Sequence, residues 1–107
     1  MNRIAKTPDP PYYAVVFTSV RSAIDEGYAE TAKKMLALAA GQPGFLGVES
    51  VRTEAGLGIT VSYWEDTESI TKWKNHAAHQ RAQQFGKNKW YRGYNIRVAR
   101  VEREYGI

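Results

Sequence analysis

The 107-residue chain contains no cysteine, which excludes disulfides, thiolate metal sites and a cysteine nucleophile. No apolar run approaches the roughly 20 residues that a membrane helix needs, so no membrane partner is expected. The opening MNRIAKTPDPP has no apolar h-region and predicts no secretory signal. A cytoplasmic location is the expectation. No G-x-G-x-x-G, P-loop or G-x-S-x-G occurs, which leaves dinucleotide cofactors, ATP and hydrolase triads without support. Acidic residues are scarce over one long stretch. Between Lys72 and Arg103, nine Lys and Arg (72, 74, 81, 87, 89, 92, 97, 100, 103) stand against one acid, Glu102. Such a stripe attracts nucleic acid or anionic small molecules. No nucleic-acid-binding motif accompanies it, and a solvated, partly snorkelling surface on the last helix and strand is the preferred explanation. Nucleic acid is not an expected partner.

What the chain does have is an ordinary globular composition, 43% hydrophobic and 24% charged, in a length suited to one core. Pro8, Pro10 and Pro11 make residues 1–11 an extended arm, unable to start a helix or a central strand. Residues 12–107 read as one domain. Tyr12–Ser19 is a strand by its aromatic and β-branched content, and Arg21–Gly27 is a polar connection. Tyr28, Ala32, Met35, Leu36 and Ala39 form one apolar stripe, which predicts a first helix over about Tyr28–Ala40. Gly41 is its expected C-cap, and Pro43 prevents it from resuming. Phe45–Thr53 and Gly58–Trp64 are strands joined through Glu54, Ala55, Gly56 and Leu57, a hairpin with a glycine available for positive φ.

Asp66 or Thr67 caps a second helix, whose apolar side carries Ile70, Trp73, Ala77 and Phe85. His76, His79 and Gln83 fall on a flank beside Trp73. Asn75 favours caps over helix interiors, which marks Asn75 or His76 as the place where this helix would break. Gly86 opens a turn containing Lys87–Trp90. In the last strand, about Tyr94–Tyr105, apolar residues change phase after Val98, which predicts a β-bulge near Ala99 and Arg100. The order is β-α-β-β-α-β, an α+β, ferredoxin-like arrangement with helices on one face of an antiparallel sheet. Strand 1 is apolar on both faces, so the face without helices needs cover. A second sheet in a two-fold homodimer is the commonest way to supply it.

The motifs S-Y-W-E-D, I-x-x-W-x-x-H-x-x-H with A-Q, P-G-F-L-G-V-E-S at Pro43–Ser50, and the closing Y-x-x-Y-x-x-R-V-A-R-V-x-R-x-Y-G carry a resemblance. Together they make residues 12–106 similar to the antibiotic biosynthesis monooxygenase superfamily. The resemblance implies a homodimeric α+β barrel and a pocket between sheet and helices. It also implies a choice of activities. The haem-degrading branch pairs the helix tryptophan, here Trp73, with a strand 1 asparagine and a histidine about three turns along the helix. This chain has Thr18 and Ser19 on that strand and Gln83 at the position ten after Trp73, so haem binding or degradation is disfavoured. The cofactor-independent branch oxidises quinol-like or polyketide-like aromatics with O₂, after the substrate is deprotonated. That chemistry asks for a base, an apolar pocket and exclusion of water.

A cofactor-independent monooxygenase acting on a small aromatic, phenolic or quinol-like molecule is therefore the expectation. A non-catalytic ligand-binding or structural dimer is the alternative, because fold does not fix function. Trp73 and His76 share a helix edge, so Trp73 would stack on the substrate while His76 accepts a proton. His79 and Glu49 are the further candidates for catalysis, and Trp64, Tyr63, Gln83 and Phe85 for substrate binding. The plainer readings make Trp73 a core residue and Glu49 the ion-pair partner of Arg97 or Arg100, and both are preferred; for His76 a boundary residue bonded to backbone stands level with the base. His76-x-x-His79 has a spacing that metals use, but without a third ligand no metal is expected.

Overall fold

The computed structural model describes residues 3–85 and 89–107, and in 79–85 the backbone alone. Four strands, β1 (Tyr12–Arg21), β2 (Phe45–Arg52), β3 (Leu57–Trp64) and β4 (Tyr91–Val101), alternate with helices α1 (Tyr28–Ala40) and α2 (Thr67–Phe85) in the order β-α-β-β-α-β. The strands form one antiparallel sheet in the order β2-β3-β1-β4. This is the ferredoxin-like arrangement, with the sheet open at both edges. No helix among the described residues is long and apolar enough to cross a membrane.

Register decides which side chains meet the helices, because residues paired across antiparallel strands point to the same face. Tyr13, Val15, Phe17 and Ser19 of β1 share a face with Trp64, Ser62, Thr60 and Gly58 of β3. Tyr94, Ile96 and Val98 of β4 join them. Trp64 stacks on Trp73 of α2 on this side, so this is the helix face. The alternate row, Tyr12, Ala14, Val16 and Thr18 with Tyr63, Val61 and Ile59, belongs to the outer face. Trp64 is completely buried, and Tyr12, Ala14, Ala39, Ile70, Ala77 and Trp90 are nearly so.

The local signals act where the sequence puts them. Asp66 caps α2 by accepting from the Ser69 backbone N–H at 2.8 Å, and that bond holds its carboxyl below the usual range. Gly56 takes φ 103° in the β2–β3 hairpin, where a side chain would be strained. Gly41 follows α1, its N–H bonded to the Leu38 carbonyl at 3.2 Å.

Three expectations are corrected. The helix α2 runs unbroken through Asn75 and His76, so packing of Ile70 and Ala77 outweighs the weak local preference of Asn. The inward stripe of α1 includes buried Thr31, whereas Ala32 is exposed. The last strand starts at Tyr91 and keeps register through Ala99 and Arg100, and its irregularity lies opposite Val20 and Arg21. The change in apolar phase has another cause. Tyr94, Ile96 and Val98 face the helix side, while Val101 pairs with buried Tyr12 on the outer face, so each end of β4 serves a different layer. The turn read at Gly86, Lys87 and Asn88 lies outside the described residues.

Part of the outer face is covered by the chain itself. The Ala5 backbone N–H donates to Glu49 Oε2 at 3.0 Å, and the Thr7 hydroxyl donates to Tyr12 at 2.9 Å. Glu104, beyond β4, accepts a short hydrogen bond from the Tyr12 hydroxyl. The arm therefore lies over the end of the sheet that holds Tyr12, Tyr63 and Gly47, where Gly47 leaves room for Ala5.

Candidate functional site

On the helix face, the start of β2, the end of β3 and the first half of α2 bring four rings into a row. Phe45 meets Trp64 edge-on at 5.4 Å between centroids. Trp64 stacks on Trp73 at 6.2 Å and 24°, and Trp73 lies beside His76 at 5.8 Å and 34°. The row exists because β3 ends one short turn before α2 begins. Trp73 thus stands two turns into the helix, facing the strand that it has just left. The Trp64 indole N–H is satisfied by Ser62 Oγ at 2.9 Å. His76 differs. Its Nε2 is buried and has no hydrogen-bond partner. A buried nitrogen without a partner costs free energy, and in the tautomer with the proton on Nδ1 it is a free acceptor.

The sheet separates the residues singled out from sequence. Trp64, Trp73 and His76 come together on the helix face. Glu49 and Tyr63 lie on the outer face, on the far side of the sheet, with the Tyr63 hydroxyl donating to Glu49 Oε1 at 2.6 Å. Burial, then the bond to Glu49, pushes the Tyr63 phenol well above its usual range. Burial and the bond to Glu104 raise that of Tyr12 in the same way. Neither arginine proposed for Glu49 is its partner. Arg97 stands in the same cross-strand row but three strands away, roughly 14 Å, and Arg100 points to the helix side. Glu49 also cannot complete a metal set with His76, because the sheet lies between them. Among the described residues no three of His, Asp and Glu converge. The side chains of His79, Gln83 and Phe85 lie outside the described residues.

A second cluster, which sequence reading passed over, occupies the opposite end of the helix face. Arg52 of β2 donates from Nη1 to the Ser19 and Gly56 carbonyls at 3.3 and 2.6 Å. From Nη2 it donates to Ser19 Oγ at 2.8 Å and the Tyr28 hydroxyl at 3.4 Å. The Tyr91 hydroxyl donates to that of Tyr28 at 3.3 Å. Arg21 lies 3.4 Å over the Tyr28 ring and pairs with Asp25 at 2.9 Å. Burial, then the Tyr28 hydroxyl, raises the Tyr91 phenol far above its usual range. The available signal was the glycine opposite Arg52. A Cβ on Gly58 would lie 2.5 Å from the guanidinium carbon, so the guanidinium rests flat on that glycine.

Between the two clusters the sheet presents Ser62, Thr60 and Ser50, the last two hydroxyls 2.7 Å apart. Beside them run Tyr94, Ile96 and Val98, each between 44% and 55% exposed although they face the helix side. Between the two clusters the helix face is therefore part-open, with a polar row on β2 and β3 and an exposed apolar row on β4, across β1.

With this geometry in view, the similarities to known proteins carry weight. A family model described as antibiotic biosynthesis monooxygenase matches residues 11–84. The chain is 56% identical over 104 residues to YqjZ, an uncharacterized protein of Bacillus subtilis, covering 97% of this chain and 91% of that one. It is 29% identical over 94 residues to the jasmonate monooxygenase ABM of Pyricularia oryzae, spanning 83% of this chain but only 43% of that protein. The crystal structure of a variant of SnoaB, a cofactor-independent oxygenase from Streptomyces nogalater, superposes with a TM-score of 0.65 at 15% identity. That match covers 88% of this chain and 95% of SnoaB and shows a shared fold. The family model spans β1 through β3 and nearly all of α2, and the chain belongs to the antibiotic biosynthesis monooxygenase family.

Proposed function

We propose that the protein is a cofactor-independent monooxygenase of a small phenolic or quinol-like compound, with His76 as the base and Trp73, backed by the buried Trp64, as the wall beside the ring. The observation that carries this reading is the buried, unpartnered Nε2 of His76 next to that stack. A free acceptor in apolar surroundings suits removal of a phenolic proton, since water is excluded and the base is fixed in place. The phenolate passes one electron to O₂, and the resulting radical pair joins as a C–O bond at the para carbon. The proton returns from His76 to give a hydroperoxide, which loses water to leave the quinone. Atoms balance: phenol plus O₂ gives quinone plus water, and the substrate supplies the electrons.

Oxygen uptake over a panel of dihydroxyaromatics, with product analysis, tests the assignment. His76→Gln is expected to lose about 10²- to 10⁴-fold in rate, the usual value of a positioned base. An unchanged rate removes His76 from the chemistry. The family relationship supports a homodimer as the working form, joined through the outer sheet face, where Val51 is 70% exposed and Leu57 and Ile59 are also exposed.

A further inference from the structure

We propose that Arg52, with the Tyr28 and Tyr91 phenols, binds the carboxylate of an elongated amphiphilic acid whose apolar body lies along the helix face of the sheet. Charge points there first. The described residues hold two ion pairs, Arg21–Asp25 and Lys72–Glu68, and neither includes Arg52. Its guanidinium is half-buried, and every acceptor it meets is neutral. A partly desolvated cation with only neutral acceptors lacks the anion that would repay its loss of water.

The two phenols also hold a proton to spare. Tyr28 and Tyr91 share one hydrogen bond, and the Tyr28 oxygen also accepts from Arg52. Two hydroxyls bring two protons, so one phenolic proton has no acceptor among the described residues. The Arg52 Nε–H likewise has no acceptor there. A free guanidinium N–H next to a free phenolic O–H, with no carboxylate within ion-pair range, is complementary to a carboxylate.

Shape agrees. From Arg52 the helix face runs past Phe17 and Ile96 to Val98. Gly58, opposite Arg52, is four residues from Ser62, roughly 13 Å at strand spacing, and Ser62 is the hydrogen-bond partner of Trp64. An acid anchored at Arg52 with a body of about that length reaches the Trp73–His76 edge. This names the substrate class for the site proposed above, and it rests on that reading only for the ligand's fate, since binding needs no turnover.

Calorimetric titration of the intact protein with 4-phenylbutyrate and with its neutral amide tests the proposal. The acid is expected to bind at least tenfold more tightly than the amide, and its affinity to fall as NaCl is raised from 50 to 500 mM. Arg52→Gln is expected to remove the acid's advantage and leave amide binding unchanged. Gly58→Ala, which keeps the charge but lifts the guanidinium from its seat, is expected to weaken the acid alone. His76→Gln is expected to keep the preference for acid over amide while slowing oxygen uptake on the dihydroxyaromatic panel by about 10²- to 10⁴-fold, so loss of catalysis and loss of anion binding are separable. Should Arg52→Gln fail to fold, the acid–amide ratio and the salt dependence of the unaltered protein still decide. Equal affinity for acid and amide, no binding of either, or wild-type acid affinity in a folded Arg52→Gln protein overturns the proposal.

Discussion

At the scale of single residues, the helix-face cluster separates chemistry from stability. His76 lies at the boundary of the core with one unsatisfied nitrogen, so removing the ring deletes a cost as well as some packing. His76→Ala is expected to change stability by about 1 kcal/mol or less while costing the rate. Trp64 is the opposite case, completely buried between Phe45 and Trp73. Trp64→Ala is expected to cost roughly 3–5 kcal/mol through the cavity it leaves. Thermal and urea melts of both variants check the contrast, and a His76→Ala melt depressed as far as that of Trp64→Ala would make His76 structural. The outer face gives a pH prediction. Tyr63 and Tyr12 have phenols raised above the ordinary value near 10 by burial and by Glu49 or Glu104. The folded protein then keeps protons that the unfolded chain has released. The stabilising contribution is complete below about pH 10 and is lost as pH rises through the folded values. Urea midpoints are expected to fall steeply above pH 10, and Tyr63→Phe to flatten that limb. An alkaline slope unchanged in Tyr63→Phe would show that Tyr63 contributes none of it.

At the scale of elements, the sequence was readable wherever a local signal and burial agreed. The helix α1 begins and ends where its stripe, Gly41 and Pro43 indicate. The cap at Asp66 and the hairpin at Gly56 follow from side-chain chemistry and φ. What local pattern could not show was which face each end of a strand serves. The β4 sequence looked slipped because its apolar residues change sides, yet the ladder is regular there. For the same reason Glu49 and His76, both plausible bases, could not be assigned from sequence to opposite faces of one sheet. Arg52 went unnoticed because its partners are a hydroxyl, two carbonyls and a phenol gathered from β1, the hairpin and α1. One turn joins these layers. Gly44 has φ 84°, accepts from the Glu65 backbone N–H at 2.8 Å, and leaves no room for a Cβ against Ser69 in the first turn of α2. Gly44→Ala is expected to cost at least about 1–2 kcal/mol from backbone conformation alone, with more from the clash. Ser69→Gly in the same chain is expected to recover the clash and not the conformational cost. A double-mutant cycle by urea denaturation separates the two, and additive effects would show that the clash is relieved by local movement.

At the scale of the whole molecule, the outer sheet face is unevenly covered, and that asymmetry bears on assembly. At the end nearest Tyr12 the chain's own arm and Glu104 close the face through hydrogen bonds to Glu49 and Tyr12. At the other end Val51, Ile59 and Leu57 lie open, with Ile59 paired to Val51 and to Thr18 across neighbouring strands. Clustered apolar side chains on a sheet face mark an association surface more often than a solvated one. If the homodimer forms there, the arm limits the contact to the Val51 end, and the helix face stays free for ligand. Ile59→Lys places a charge in the centre of that patch. It is expected to shift sedimentation at micromolar concentration from dimer toward monomer while leaving the far-ultraviolet spectrum unchanged, because Ile59 is already part-exposed within one chain. Removal of residues 1–9 is expected to leave the dimer intact but lower stability, since it uncovers Tyr12 and strips Glu49 of one donor. A wild-type protein that sediments as a monomer would remove the dimer, and an Ile59→Lys protein that remains fully dimeric would move the interface away from this face. In the second case the exposed β4 row of Tyr94, Ile96 and Val98 becomes the next surface to charge, and the loss of ligand binding on charging it would distinguish ligand site from interface.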